Sequence, residues 1–171
     1  CGVFFCCDVA EEFLRHFEGD IGLKAGQRLT PRAIGYAASM NHPSLAVRRK
    51  PRVAILATGD EIVMPGEPIG PNQIVSSNSH ALAAAVKIYG GEPLNLGIAP
   101  DDRQGLKAMA AGAKGADILV TTGGASVGDH DLVQSVLGEI GLKLDFWKIA
   151  MRPGKPLIFG SIGDTRVLGL P

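Results

Sequence analysis

The body of this chain has no cysteine. All three cysteines lie in the first seven residues, CGVFFCC, two of them adjacent. That placement excludes a disulfide framework and fits a reducing, cytoplasmic compartment. Charge of one sign is also missing: 17 Lys and Arg balance 17 Asp and Glu, so no net field recruits nucleic acid or an anionic membrane. No apolar run approaches the ~18 residues needed to cross a bilayer. A basic leader segment is absent too, since Asp8, Glu11 and Glu12 follow the first residues, which argues against a signal peptide. Aromatic residues are few, with a single tryptophan, Trp147, suited to a core. His16, His42 and His80 show no metal-ligand spacing, and His130 reads as an exposed histidine at a helix start.

What is present is an apolar chain, 46% hydrophobic, punctuated by 23 glycines and 11 prolines. From Arg52 the pattern alternates. RVAILATG (52–59) reads as a buried strand between Pro51 and Gly59. SSNSHALAAAVKIYGG (76–91) reads as a helix with Leu82, Val86 and Tyr89 inward and cap candidates at Ser76 to Asn78. EPLNLGIAP (92–100) is a strand, and DDRQGLKAMAAGAKG (101–115) a helix with Leu106, Met109, Ala110 and Ala113 inward. ADILVTT (116–122) is a strand, DLVQSVLGEIG (131–141) a helix, and KLDFWKIAM (143–151) a strand. KPLIFGS and TRVLGLP, separated by IGD, read as a hairpin.

Three strand–helix alternations followed by a hairpin predict an α/β fold: a three-layer α/β/α sandwich with a mainly parallel sheet and a C-terminal antiparallel hairpin. Residues 51–171 form this domain, expected to stop short of its natural end because no helix follows the last strand. Residues 18–50 read as a partial lead-in subdomain, a strand then a helix, with NHPSLAVRRKP as linker or edge strand. Residues 1–17 fit neither pattern and read as an atypical N-terminal segment.

Open parallel sheets bind ligands beyond the carboxyl ends of their strands. There the sequence delivers Thr58, Gly59, Asp60 and Glu61 from one strand, and Asp101 and Asp102 from the next. A third loop adds Thr122, Gly123, Gly124, Ser126, Gly128, Asp129 and Asp131, and a fourth adds Arg152, Pro153, Gly154 and Lys155. Each piece has a bland alternative. Asp101, Asp102, Asp129 and Asp131 all stand at helix starts, where an acid can simply cap free N–H groups. Lys148 can be a solvated edge residue, and Gly154-Lys155 is not a Walker loop. Together they resist the bland reading. Two carboxylates ~4 Å apart repel by ~4 kcal/mol at an effective dielectric of ~20. Glu61, Asp101 and Asp131 at one rim therefore predict a divalent cation, Mg²⁺, bridging to a phosphate held by glycine amides and a helix N-terminus. Lys148, Arg152 and Lys155 would balance the remaining anionic charge.

PRVAILATGDEIVMPGEPIGPNQIVSSNSHAL, GIAPDD, ADILVTTGGASVGDHD and FWKIAMRPGKPLIFG, in this order, resemble the molybdopterin-binding domain of the molybdopterin molybdenumtransferases, the molybdenum insertases related to the E domain of gephyrin. The likeness runs from about Gly19 to Pro171. It implies an enzyme of molybdenum cofactor biosynthesis that takes adenylylated molybdopterin, releases AMP in a Mg²⁺-dependent step and places molybdate on the dithiolene sulfurs. Carried over residue by residue, it puts the catalytic group on Glu61, Asp101, Asp131, Lys148 and Arg152, with Glu61, Asp101 and Asp131 as metal ligands. Ligand contacts fall on Thr58, Gly59, Asp60, Thr122, Gly123, Gly124, Ser126, Gly128, Pro153, Gly154 and Lys155. The resemblance also implies a pterin substrate, a homodimer of the full-length protein and contact with a molybdopterin adenylyltransferase. Arg152 stands where some relatives carry lysine, and GLP ends where the family continues with GNP and a helix. A molybdopterin adenylyltransferase of the same fold, or a non-catalytic molybdopterin-binding scaffold, are the alternatives.

Overall fold

The computed structural model describes residues 21–123, 132–147, 149–150 and 157–170. The chain divides into two compact units, Cys1–Arg48 and Arg49–Pro171. In the first, helix α1 (Pro31–Ser39) is opened by Thr30, whose Oγ1 accepts from Ala33 N at 3.2 Å, and by Pro31 at its first position. It buries Ala33 and Ala37. The strand expected before it does not form among residues 21–30, where a turn joins Lys24 to Gln27 in place of an alternating run. Residues 43–51 carry no strand, although the Pro51 carbonyl accepts from Glu92 N at 2.8 Å at the start of the sheet.

The second unit is built on a six-stranded sheet. Its strands are β1 (Arg52–Thr58), β4 (Glu92–Ala99), β5 (Ile118–Thr122), β6 (Lys143–Trp147), β7 (Ile158–Ile162) and β8 (Thr165–Leu170), in the order β4-β1-β5-β8-β7-β6. β1 pairs parallel with β4 and β5, and β5 with β8; β7 runs antiparallel to both β8 and β6. β7 is therefore the one reversed strand of the six. The hairpin expected at the C-terminal end is β7–β8, inserted between β5 and β6.

Both faces of β1 are covered, which is why its sequence is continuously apolar rather than alternating. Val53 and Ile55, with Val120 of β5, face α2 (Asn78–Ile88) through Leu82, Ala83 and Val86. Ala54 and Leu56 point the other way, toward α3 (Arg103–Ala110) and α4 (Leu132–Glu139), and pack with Leu106, Ala110, Val133, Val136 and Leu137. This makes three layers, helix on sheet on helix. Each fully buried Leu, Ile or Val stabilises the unit by ~1.5–3 kcal/mol.

Several boundaries differ from the sequence reading. Tyr89 is 89% exposed and not inward, because α2 ends at Ile88 and Tyr89 already belongs to the turn into Gly90. No side chain caps that helix at Ser77; the Ser76 and Ser79 hydroxyls bond each other instead at 2.8 Å. The helix expected over 101–115 is α3 plus a tight 3₁₀ turn, Ala111–Ala113. β6 ends at Trp147 and does not run on through residues 149–150. Two short strands, β2 (Ile62–Val63) and β3 (Ile74–Val75), form a small parallel pair between β1 and α2 that the sequence did not suggest. No described helix is long and apolar enough to cross a membrane.

Candidate functional site

Parallel strands bring their carboxyl ends to one edge, and here three adjacent strands carry the chemistry. Thr58 pairs with Ala99 at the ends of β1 and β4, and Ala57 pairs with Thr122 at the end of β5. The helices that follow diverge. α2 leaves β1 toward one face, while α3 and α4 lie on the other. That divergence opens a crevice at the tip of β1, the place where open α/β sheets receive ligands.

The chain leaves β1 through Gly59, and the Glu61 carboxylate folds back over it. A Cβ at residue 59 would lie 2.5 Å from Glu61 Oε2. The main chain of Glu61 is held by the small strand pair, with Ile74 N donating to Glu61 O at 2.8 Å and Ser76 N to Val63 O at 2.8 Å. Across the gap, Asp101 N donates to Asp60 Oδ1 at 3.0 Å and Asp60 N donates to Asp101 Oδ2 at 3.4 Å. The Glu61 and Asp101 carboxylates thus stand over consecutive residues of one strand tip, on strands only ~4.8 Å apart.

Asp101 and Asp102, equivalent in the sequence, part company in the structure. Asp102 is the cap of α3, its Oδ1 accepting from Gly105 N at 2.7 Å. Asp101 caps nothing and faces the β1 tip.

Gly123 closes the crevice on the β5 side. Its φ is +82°, and a Cβ there would collide with the Thr58 carbonyl oxygen and lie 3.4 Å from Thr58 Oγ1. Only glycine lets β5 exit so close to β1. Beside it, Thr58 and Thr121 are each 1% exposed, and neither Oγ1 has a hydrogen-bond partner among the described residues. A buried hydroxyl left unpaired costs ~1–3 kcal/mol. Such atoms mark a place that a polar ligand can satisfy. Thr122 is also buried, on the opposite face of β5.

Of the residues expected to form the site, Thr58, Gly59, Asp60, Glu61, Asp101, Thr122 and Gly123 come together at this edge. Gly124, Ser126, Gly128, Asp131, Lys148, Arg152, Pro153, Gly154 and Lys155 lie outside the described residues. β6 runs in the same direction as β1 and so ends at the same edge, but four strands away, roughly 19 Å at the usual strand spacing. Thr121 was missed by the sequence reading; the signal was a hydroxyl pair closing an otherwise apolar strand. Among the described residues no group of three or more His, Cys, Asp or Glu is placed to hold a metal ion. The described donor set is two carboxylates. That suffices for Mg²⁺, which commonly takes one or two protein carboxylates and completes its shell with water and phosphate oxygens.

A two-pronged ion pair lies at the opposite edge. Arg49 clamps Asp117 with two bonds, 2.6 and 2.7 Å, and Arg52 N adds a third at 2.7 Å. The Arg49 side chain, then the Arg52 amide, hold the Asp117 carboxyl down to a pKa of about 2.

Comparison with known proteins gives the family. Residues 54–171 match the family described as "Probable molybdopterin binding domain". A molybdopterin molybdenumtransferase of Nostoc sp. is 43% identical over 153 residues, covering 87% of this chain and 35% of that protein. The corresponding Haemophilus influenzae protein is 36% identical over 155 residues, covering 90% of this chain and 38% of that one. A solved molybdopterin biosynthesis protein of Pyrococcus horikoshii superposes with a TM-score of 0.71 at 39% identity, over 88% of this chain and 37% of that one. The chain thus spans little more than a third of the length of these relatives. It belongs to the molybdopterin-binding domain family.

Proposed function

We propose that this chain is the pterin-binding portion of a molybdopterin molybdenumtransferase, a transferase acting on adenylylated molybdopterin with molybdate as co-substrate and AMP as product. The observation that carries the reading is the pair of carboxylates, Glu61 and Asp101, gathered over a glycine-lined strand tip in a chain 43% identical to a molybdopterin molybdenumtransferase.

Mg²⁺ fits the residues present. Glu61 and Asp101 would hold it, joined by Asp131, and when bound it supplies charge neutralisation and polarisation at phosphate oxygens. The chain's own residues do the rest. Gly59 lets the Glu61 carboxylate fold back over the strand tip and Gly123 lets β5 exit against Thr58, since a side chain at either position would collide with those atoms. Thr58 and Thr121 offer buried hydroxyls to it. A pyrophosphate linkage beside two carboxylates needs cations on its far side, and Lys148, Arg152 and Lys155 supply them. Thr122, Gly124, Ser126, Gly128, Pro153 and Gly154 complete the ligand contacts. A Glu61 carboxylate standing over Gly59 is suited to orient a water toward phosphorus. Molybdate is an oxoanion and meets the same cations. The body of the chain carries no cysteine to compete for it. The full protein works in the cytoplasm as a homodimer, receiving its substrate from a molybdopterin adenylyltransferase.

The test is release of AMP from adenylylated molybdopterin in the presence of molybdate and Mg²⁺, comparing this chain with Glu61→Ala. Loss of one positioned acid–base group lowers the rate about 10²–10⁴-fold. Equal rates would remove Glu61 from the chemistry.

A further inference from the structure

We propose that Asp60 is a positioning residue, whose carboxylate braces the tip of β4 against the tip of β1 and so sets where the Asp101 carboxylate stands. The inference rests on the reading of Asp101 as an ion-holding group. It gives Asp60 a role different from direct contact with ligand.

The β1–β4 ladder runs out at the tips of the two strands. Thr58 and Ala99 are its last pair, and Gly59 N still reaches Ala99 O at 3.3 Å. The next donor in register on the β4 side is Asp101 N, and it turns to the Asp60 side chain in place of the β1 main chain. Side chains take over. Asp60 Oδ1 accepts from Asp101 N at 3.0 Å, and Asp101 Oδ2 accepts from Asp60 N at 3.4 Å. This reciprocal pair extends the strand pairing one step past the ladder. It occupies one oxygen of Asp60 with backbone and leaves Asp101 Oδ1 outside the pair. It also fixes Asp101 within one residue of Glu61, whose own main chain is tied to β3 through Ile74. Two like-charged groups stay close only when the backbone beneath them is held, and Asp60 supplies the hold on one of them.

Asp60→Ala removes the acceptor, whereas Asp60→Asn keeps a carbonyl oxygen at Oδ1. Two readouts separate the possibilities. Amide hydrogen exchange at Asp101 reports the brace itself: Asp60→Ala should speed it about 2–10-fold, the span of one net hydrogen bond, and Asp60→Asn should recover most of the protection. Calorimetric titration with Mg²⁺ reports the consequence: Asp60→Ala should weaken binding about 10–100-fold, as loss of a group that orients a metal ligand does, with Asp60→Asn again recovering most of it. Unchanged exchange at Asp101 in Asp60→Ala overturns the brace. Faster exchange with unchanged Mg²⁺ affinity overturns the positioning role. A wild-type chain that binds no Mg²⁺ overturns the metal reading of Asp101 instead, and the exchange result alone then decides the brace. If Asp60→Ala does not fold, Asp60→Asn decides: retained exchange protection and affinity support the proposal, and loss of both while folded refutes it.

Discussion

Replacing Gly123 by alanine adds one carbon at the most crowded point of the candidate site, and its cost can be worked from the structure. Two terms contribute. The backbone at residue 123 has φ +82°, a left-handed conformation that costs an L-residue about 1–2 kcal/mol. The added Cβ also meets the carbonyl oxygen of Thr58, a main-chain atom inside a paired strand that cannot swing away. Forcing a carbon into a packed site of this kind costs about 1–3 kcal/mol. Together they predict a loss of about 2–5 kcal/mol, read by urea denaturation. Gly115→Ala is the control. Its φ is +85° but nothing lies within 4 Å of its Cβ position, so only the backbone term of about 1–2 kcal/mol should remain. A Gly123→Ala chain no less stable than Gly115→Ala would refute the claim that β5 exits in contact with the end of β1.

Two further outcomes follow from other parts of the fold. Asp102→Ala should destabilise the chain by about 0.5–2 kcal/mol, the usual loss for a helix cap, because its carboxylate holds Gly105 N at 2.7 Å; urea titration reads it. The Arg49 guanidinium, then the Arg52 amide, hold the Asp117 carboxyl at a pKa of about 2, below the usual carboxylate range. A depressed carboxyl stabilises the fold above its unfolded pKa and loses that contribution as pH falls through the folded one. Asp117→Asn should therefore be less stable than wild type at pH 6, with the gap narrowing between pH 4 and pH 2. Thermal melts across that range check it, and a gap that widens on acidification would contradict the assigned cause.

The layers were legible because β1, β5 and the helices α2, α3 and α4 keep one period each, and because glycine and proline mark their ends. β2 and β3 were not, since two residues carry no period; they pair only because Ile74 and Ser76 reach back to Glu61 and Val63. Sequence reading placed KLDFWKIAM among the parallel strands. The direction of β6 fits that, but its position at the far edge depends on the β7–β8 hairpin slipping in beside β5, which no local pattern announces. In the site, the acids were visible as residue types. Which of them caps and which is left for chemistry was not. Asp101 and Asp102 differ by one step along the chain, and only the turn after Pro100 decides that Asp102 reaches Gly105 while Asp101 faces Asp60. Buried Thr121 escaped notice because its hydroxyl matters only once both neighbouring strands have covered it.

The account stands or falls on whether the carboxylates at the β1 and β4 tips share a divalent ion. Calorimetric titration of Mg²⁺ into this chain and into the Glu61→Ala, Asp101→Ala double variant measures that directly. The account predicts one site in the wild-type chain, lost in the double variant while the fold persists. Equal Mg²⁺ affinity in both would contradict it.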